Sequence, residues 1–103
     1  SQTRAFCYVD DLVDGLMAMA EKGKAGGVYN LGNPRETTLR ELLDIVLRET
    51  KSQSKPIYLN MPIDDQPRRC PDISRAKAEL AWEPRVGLEE GLRRTIEWAR
   101  RRL

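Results

Sequence analysis

The sequence predicts a mixed α/β (α+β) domain of about four helices and two or three short strands. Three observations carry that expectation. Four stretches repeat apolar residues every three or four positions, the period of a helix face. Between them lie short runs of β-branched and aromatic residues bounded by glycine and proline, the mark of brief strands. The length of 103 residues fits one domain, 1–103, with one modest core. A chain of this size buries about 65% of its unfolded surface.

Residues 1–9 read as an extended segment. Alternate side chains of such a segment point to opposite faces. Arg4, Phe6 and Tyr8 then share one face, and Ala5, Cys7 and Val9 the other. The second face is small and apolar and suits a core. The first sets a guanidinium beside two aromatic rings. That suits a flat, charged ligand; it equally suits a strand whose rings pack on a neighbour while the arginine stays in water. Asp10 stands where a helix N-cap belongs, and a helix is expected over 10–21. Leu12, Val13, Leu16, Met17, Met19 and Ala20 form its apolar stripe, the methionines serving as core filler. Glycines close it over 22–27.

A short strand is expected over 28–32, ended by Asn33-Pro34. Strands deplete asparagine, so the Asn30 amide either caps a turn or faces a ligand. The second helix starts at Thr37 or Thr38, where Thr38 and Glu41 have capping-box spacing. Leu39, Leu42, Leu43, Val46 and Leu47 form its inner stripe, and its charged residues form a solvated face. A polar loop follows over 51–55, then a second short strand over 56–61.

Residues 62–71 hold three prolines and the adjacent pair Arg68-Arg69. Neighbours on an extended segment point opposite ways, so one of the two faces any given site, or both are solvated. A long irregular loop in a small domain points to binding. Asp72 caps a third helix over 73–80, and Trp82 reads as a packing anchor before Pro84. The last helix opens at Leu88 and runs on with Leu92, Ile96 and Ala99 inward. Arg100, Arg101 and Arg102 complement the dipole at its end.

Composition excludes several functions. There is no histidine, which rules out Ser-His and Cys-His pairs and histidine-ligated metal. Cys7 and Cys70 fit no zinc or redox spacing and are expected to be a buried, reduced, unrelated pair. The net charge of +2 carries no nucleic-acid or membrane footprint. No apolar run approaches the roughly 18 residues of a membrane span. Without a signal peptide or an initial methionine, the chain reads as a cytoplasmic fragment of a longer protein. It has no G-x-G-x-x-G fingerprint, no P-loop and no Tyr-x-x-x-Lys pair. No catalytic residue, metal or cofactor of its own is expected.

What remains is a pair of distant arginines on extended segments, Arg4 and Arg69 (or Arg68). Guanidinium groups are planar, always charged and bidentate toward phosphate oxygens. Two of them from different parts of the chain suit a diphosphate, with Phe6 or Tyr8 free to pack on a base or sugar.

Five motifs then come in order. They are Arg4-Ala5-Phe6-Cys7-Tyr8-Val9-Asp10-Asp11, Tyr29-Asn30-Leu31-Gly32-Asn33-Pro34, Arg69-Cys70-Pro71-Asp72-Ile73, Leu80-Ala81-Trp82-Glu83-Pro84 and Leu88-Glu89-Glu90-Gly91-Leu92. Together they resemble the C-terminal, substrate-binding portion of extended short-chain dehydrogenase/reductases that modify nucleotide sugars. Within that NAD-dependent epimerase/dehydratase family the likeness leans to the UDP-glucuronate decarboxylase branch, which makes UDP-xylose. The dTDP-glucose 4,6-dehydratase and UDP-sugar 4-epimerase branches are the alternatives, as is a truncated module that binds nucleotide sugar or protein without catalysis. The order Gln66-Pro67 departs from the family pattern.

The resemblance implies a UDP-sugar or related nucleotide sugar as ligand. It implies NAD in the full-length parent, held by a Rossmann domain absent from this chain. By position it makes Arg4 and Arg69 diphosphate ligands and sets Asn30 and Tyr8 at the nucleotide pocket. It also implies a homodimeric parent, and a fragment that self-associates through an exposed strand edge near residues 28–31.

Overall fold

The computed structural model describes residues 2–59 and 67–103. Its elements are β1 (Thr3–Ala5), α1 (Val9–Lys22), β2 (Glu36–Thr38), α2 (Leu39–Thr50), α3 (Ser74–Leu80) and α4 (Leu88–Arg102). Four helices and a two-stranded sheet, among the described residues, match the expected class.

The sheet is antiparallel, with Thr3 opposite Thr38, Arg4 opposite Thr37 and Ala5 opposite Glu36. β2 lies in what reads as a turn before the second helix. Its sequence, Glu-Thr-Thr, has no apolar alternation; pairing with β1 makes it a strand. The expected strand over 28–32 does not form. β-branched and aromatic residues favour a strand only where a partner chain supplies the ladder, and Val28 is exposed. Residues 56–59 are likewise irregular and exposed, and the rest of that expected strand lies outside the described residues.

The helix boundaries follow local chemistry. Thr38 caps α2: its hydroxyl accepts the Glu41 N–H at 3.0 Å and donates to Glu41 Oε1 at 3.1 Å. This is the predicted capping box. α1 departs from expectation, since its N-cap is Tyr8 with no side-chain cap. Asp10 sits inside the first turn instead, where its charge still complements the helix N-terminus. At α3 the N-cap is Ile73, one residue later than predicted, and Asp72 binds the first helical residue from just outside it. One of its carboxylate oxygens accepts the Ser74 N–H at 2.9 Å and the Ser74 hydroxyl at 2.7 Å. Those bonds hold the Asp72 carboxyl below its usual range.

The core lies between α1 and α3. Ile73, Ala76, Leu80 and Trp82 are buried, with Ala18, Met19, Tyr29 and Leu31 packed against them. Trp82 is the anchor the sequence predicts, 6% exposed. α2 packs on α4, and Glu49 pairs with Arg93 across the seam at 3.3 Å. The innermost side chain of α2 is Ile45.

The apolar stripe assigned to α1 is a correction. Of its residues, Leu12, Val13, Leu16 and Met17 are exposed and Met19 packs against the core as expected, while Asp11 and Gly15 are buried. Spacing shows that a helix has an apolar face, not what covers it. The covered face here is the narrow one, where small residues admit close packing: a Cβ on Gly15 would lie 3.0 Å from Leu31 Cδ1 and 3.1 Å from Trp82 Cε2. The result is a flat molecule of 48 × 37 × 19 Å. Its radius of gyration of 16.1 Å exceeds the roughly 13 Å of a compact 100-residue domain.

Candidate phosphate-binding cleft

The two arginines singled out from sequence line one cleft. It is open, about 560 Å³ in volume, and bordered by Arg4, Ala5, Arg68, Arg69, Cys70 and Pro71. Arg4 and Ala5 come from β1 and the other four residues from the segment before α3.

Backbone bonds bring the two segments together. The Thr3 N–H donates to the Pro67 carbonyl at 2.8 Å, which lays the segment along β1. The Arg4 guanidinium donates to the Thr3 carbonyl at 2.6 Å and reaches the Pro67 carbonyl at 3.4 Å. Further along, the Cys70 thiol donates to the Pro34 carbonyl at 3.0 Å. Gly32 lies against the Pro71 ring, which a Cβ there would meet at 3.0 Å. Residues 67–71 therefore rest on both β1 and the turn before β2.

Arg68 is bound side-on by Glu36, its Nε at 2.9 Å from Oε1 and its Nη2 at 2.5 Å from Oε2. The Thr3 hydroxyl adds a third bond to Glu36, at 2.8 Å. Glu36 is brought down from an ordinary 4.5 to about 2, first by the Arg68 hydrogen bonds, then by Thr3, with the Arg68 charge adding to both. Arg68 is pushed up by the same partner. Among the described residues the cleft brings together three guanidinium groups and one carboxylate, and guanidinium groups suit an anion with several oxygens. Glu36 is the residue that sequence reading passed over. A lone acid opposite an arginine-rich loop gives no periodic signal.

The other predicted site residues lie elsewhere. The Asn30 amide donates to the Asp72 carbonyl at 3.3 Å, tying the 30–36 turn to the start of α3, and it does not border the cleft. Tyr8 is set against α4: its ring meets Gly91 and lies 5.5 Å from the Arg94 guanidinium. The expected alternation of faces fails beyond Ala5. Pairing with β2 ends at Ala5–Glu36, so no ladder maintains the pleat. Phe6, Cys7 and Tyr8 all border a separate apolar cavity of about 180 Å³ beside Leu88 and Leu92. Burial, with the Asp11 charge adding, raises the Cys7 thiol. Cys7 and Cys70 are both free, but neither is buried as expected: Cys7 is half-buried and Cys70 is exposed.

The arginine-lined cleft thus lies between β1 and the lead-in to α3. The chain belongs to the GDP-mannose 4,6 dehydratase family, whose model matches residues 1–95. It is 47% identical over 103 residues to UDP-glucuronic acid decarboxylase 1 of Danio rerio, covering 100% of this chain and 24% of that protein. Among solved structures it is similar to a UDP-glucose 4-epimerase from Thermotoga maritima, determined with UDP-glucose. That match has a TM-score of 0.91 and 36% identity, and covers 98% of this chain and 32% of that one. It is also similar to the Bordetella bronchiseptica enzyme WbmF in complex with NAD+ and UDP. There the TM-score is 0.82 and the identity 34%, over 96% of this chain and 30% of that one. The chain thus spans about a quarter of the curated relative and a third of the solved structures.

The N-termini of α1, α2 and α4 do not fit a dinucleotide. A dinucleotide pyrophosphate is held at a glycine-rich helix N-terminus. Here the first turns of α1, α2 and α4 carry Asp10 and Asp11, Glu41, and Glu89 and Glu90. Those carboxylates repel an anion.

Proposed function

We propose that this chain is the nucleotide-sugar-binding portion of an NAD-dependent enzyme of the UDP-glucuronate decarboxylase type. One observation carries the reading: Arg4 and Arg69, far apart in sequence, border a single cleft. Both guanidinium groups bind the diphosphate and fix its position. Asn30 acts at a distance, bracing the segment that carries Arg69 through Asp72. Tyr8 likewise acts through the fold, seating α4 beside the strand that carries Arg4.

In the longer parent, bound NAD supplies hydride transfer at the sugar, from residues other than those described here. This chain alone binds without turnover. The likeness to UDP-glucuronic acid decarboxylases at 47% identity favours that branch; dehydratase and epimerase activities are the alternatives. The outward apolar face of α1 is then an interface, covered by the rest of the parent or by a second copy of the isolated chain.

Calorimetric titration of the chain with UDP tests the reading. Arg4→Ala and Arg69→Ala are each expected to weaken binding about tenfold or more, as for loss of a charged hydrogen-bonding partner. Unchanged affinity in both variants contradicts it. Assay of the parent on UDP-glucuronate and dTDP-glucose decides the branch.

A further inference from the structure

We infer that Glu36 is a positioning residue for the phosphate cleft: by holding Arg68 side-on, it sets how the adjacent Arg69 is presented to a diphosphate. The inference rests on the diphosphate reading of the cleft.

Two consecutive arginines make an ambiguous anion site. On an extended segment they point opposite ways, and a half-turn of the chain exchanges them. Something must choose between them, and Glu36 does so geometrically. It takes both the Nε and the Nη2 of Arg68, the side-on arrangement that fixes a guanidinium in position and in plane. Its own carboxylate is held by the Thr3 hydroxyl, one residue before Arg4. Thr3 also binds the backbone at Pro67, one residue before Arg68. Glu36, Thr3 and residues 67–68 thus close a ring of bonds beside Arg4. Cys70 and Pro71 are seated independently on Pro34 and Gly32. Arg69 lies between two fastened points, and Glu36 supplies the polar half of the first. The same carboxylate occupies the Nε and Nη2 donors of Arg68, so Arg68 does not compete for the ligand.

The test uses the 103-residue chain and UDP as probe, with affinity read from amide NMR shifts and Arg68 read from its side-chain Nε–H signal. Glu36→Gln is expected to move the Arg68 signal, leave the amide spectrum of α1 to α4 in place and weaken UDP binding about two- to fivefold, the range for losing an exposed ion pair. Arg68→Gln removes the same pair from its more exposed side and is expected to give the same loss. Glu36→Arg combined with Arg68→Glu, which rebuilds the pair reversed, is expected to restore affinity. Unchanged UDP affinity in Glu36→Gln or in Arg68→Gln overturns the inference, as does a reversed pair that folds but fails to restore binding. No response to UDP in the unmutated chain overturns the diphosphate reading itself, and this inference with it.

Discussion

The indole N–H of Trp82 donates to the backbone carbonyl of Asp11 at 3.0 Å, in the buried seam between α1 and the loop after α3. The Asp11 carboxylate in turn accepts the Val86 N–H at 2.9 Å. A tryptophan is commonly buried only where its N–H finds a partner. This pair fastens the lead-in to α4 onto the helix that follows the arginine strand.

Removing either half of that seam destabilises the fold. Trp82→Phe loses the donor and leaves unfilled volume, at an expected cost of about 2 kcal/mol. Asp11→Ala strands the Val86 N–H, at a similar expected cost of about 1–3 kcal/mol. Urea unfolding followed by circular dichroism measures both. Stability equal to that of the unmutated chain in either variant contradicts the role assigned to the seam.

Gly15 makes a second stability prediction, of opposite sign to helix propensity. Alanine in a helix interior is ordinarily favoured over glycine by about 1 kcal/mol. At Gly15 the new methyl would meet Leu31 at 3.0 Å and Trp82 at 3.1 Å. Trp82 is buried and tied by its N–H to the Asp11 carbonyl, so overpacking of about 1–3 kcal/mol is expected to outweigh the gain. Gly15→Ala is therefore expected to lower the thermal midpoint; a raised midpoint would show that α1 and Trp82 are less closely engaged.

The Glu36–Arg68 pair predicts an acid transition in the cleft. The folded-state value of Glu36, about 2, lies below its ordinary 4.5. A depressed carboxylate contributes stability that is whole above the unfolded value and lost as pH falls through the folded one. The attachment of residues 67–68 to β2 is thus expected to persist at pH 5 and to loosen between about 4.5 and about 2. NMR titration of the Glu36 side-chain carboxyl follows it. A midpoint at or above 4.5 contradicts the side-on pairing.

The outer face of α1 predicts association. Val13, Leu16 and Met17 are between 49% and 58% exposed on one helix. An exposed apolar stripe of this kind drives self-association in water. Sedimentation velocity of the isolated chain is expected to show concentration-dependent oligomers, which Leu16→Lys with Met17→Lys reduces to monomer. A monomer at every concentration tested argues against that use of the face.

Much of this architecture was legible in the residues. The capping box at Thr38 and Glu41 and the anchor at Trp82 are local signals, and they form as written, while Asp72 makes its bonds from one residue outside the cap. The arginine pair was legible as chemistry, because few residue pairs other than Arg4 and Arg69 offer bidentate donors on extended chain. What escaped depends on partners. The strand at Glu36–Thr38 exists because β1 lies beside it, and the strand-like run from Val28 stays irregular because no chain does. The stripe on α1 was read correctly as apolar and incorrectly as buried, since residue spacing carries no information about a neighbour. Glu36 escaped for a related reason: its meaning comes from Arg68, which only the fold brings near.

Phosphorus NMR of UDP in the presence of the chain tests the central claim most directly, because it observes the diphosphate itself. Both phosphorus signals are expected to shift as chain is added, and the shifts are expected to collapse in Arg4→Ala and in Arg69→Ala. Signals that stay unmoved at saturating chain, or that shift equally in both variants, would contradict a diphosphate held between those two arginines.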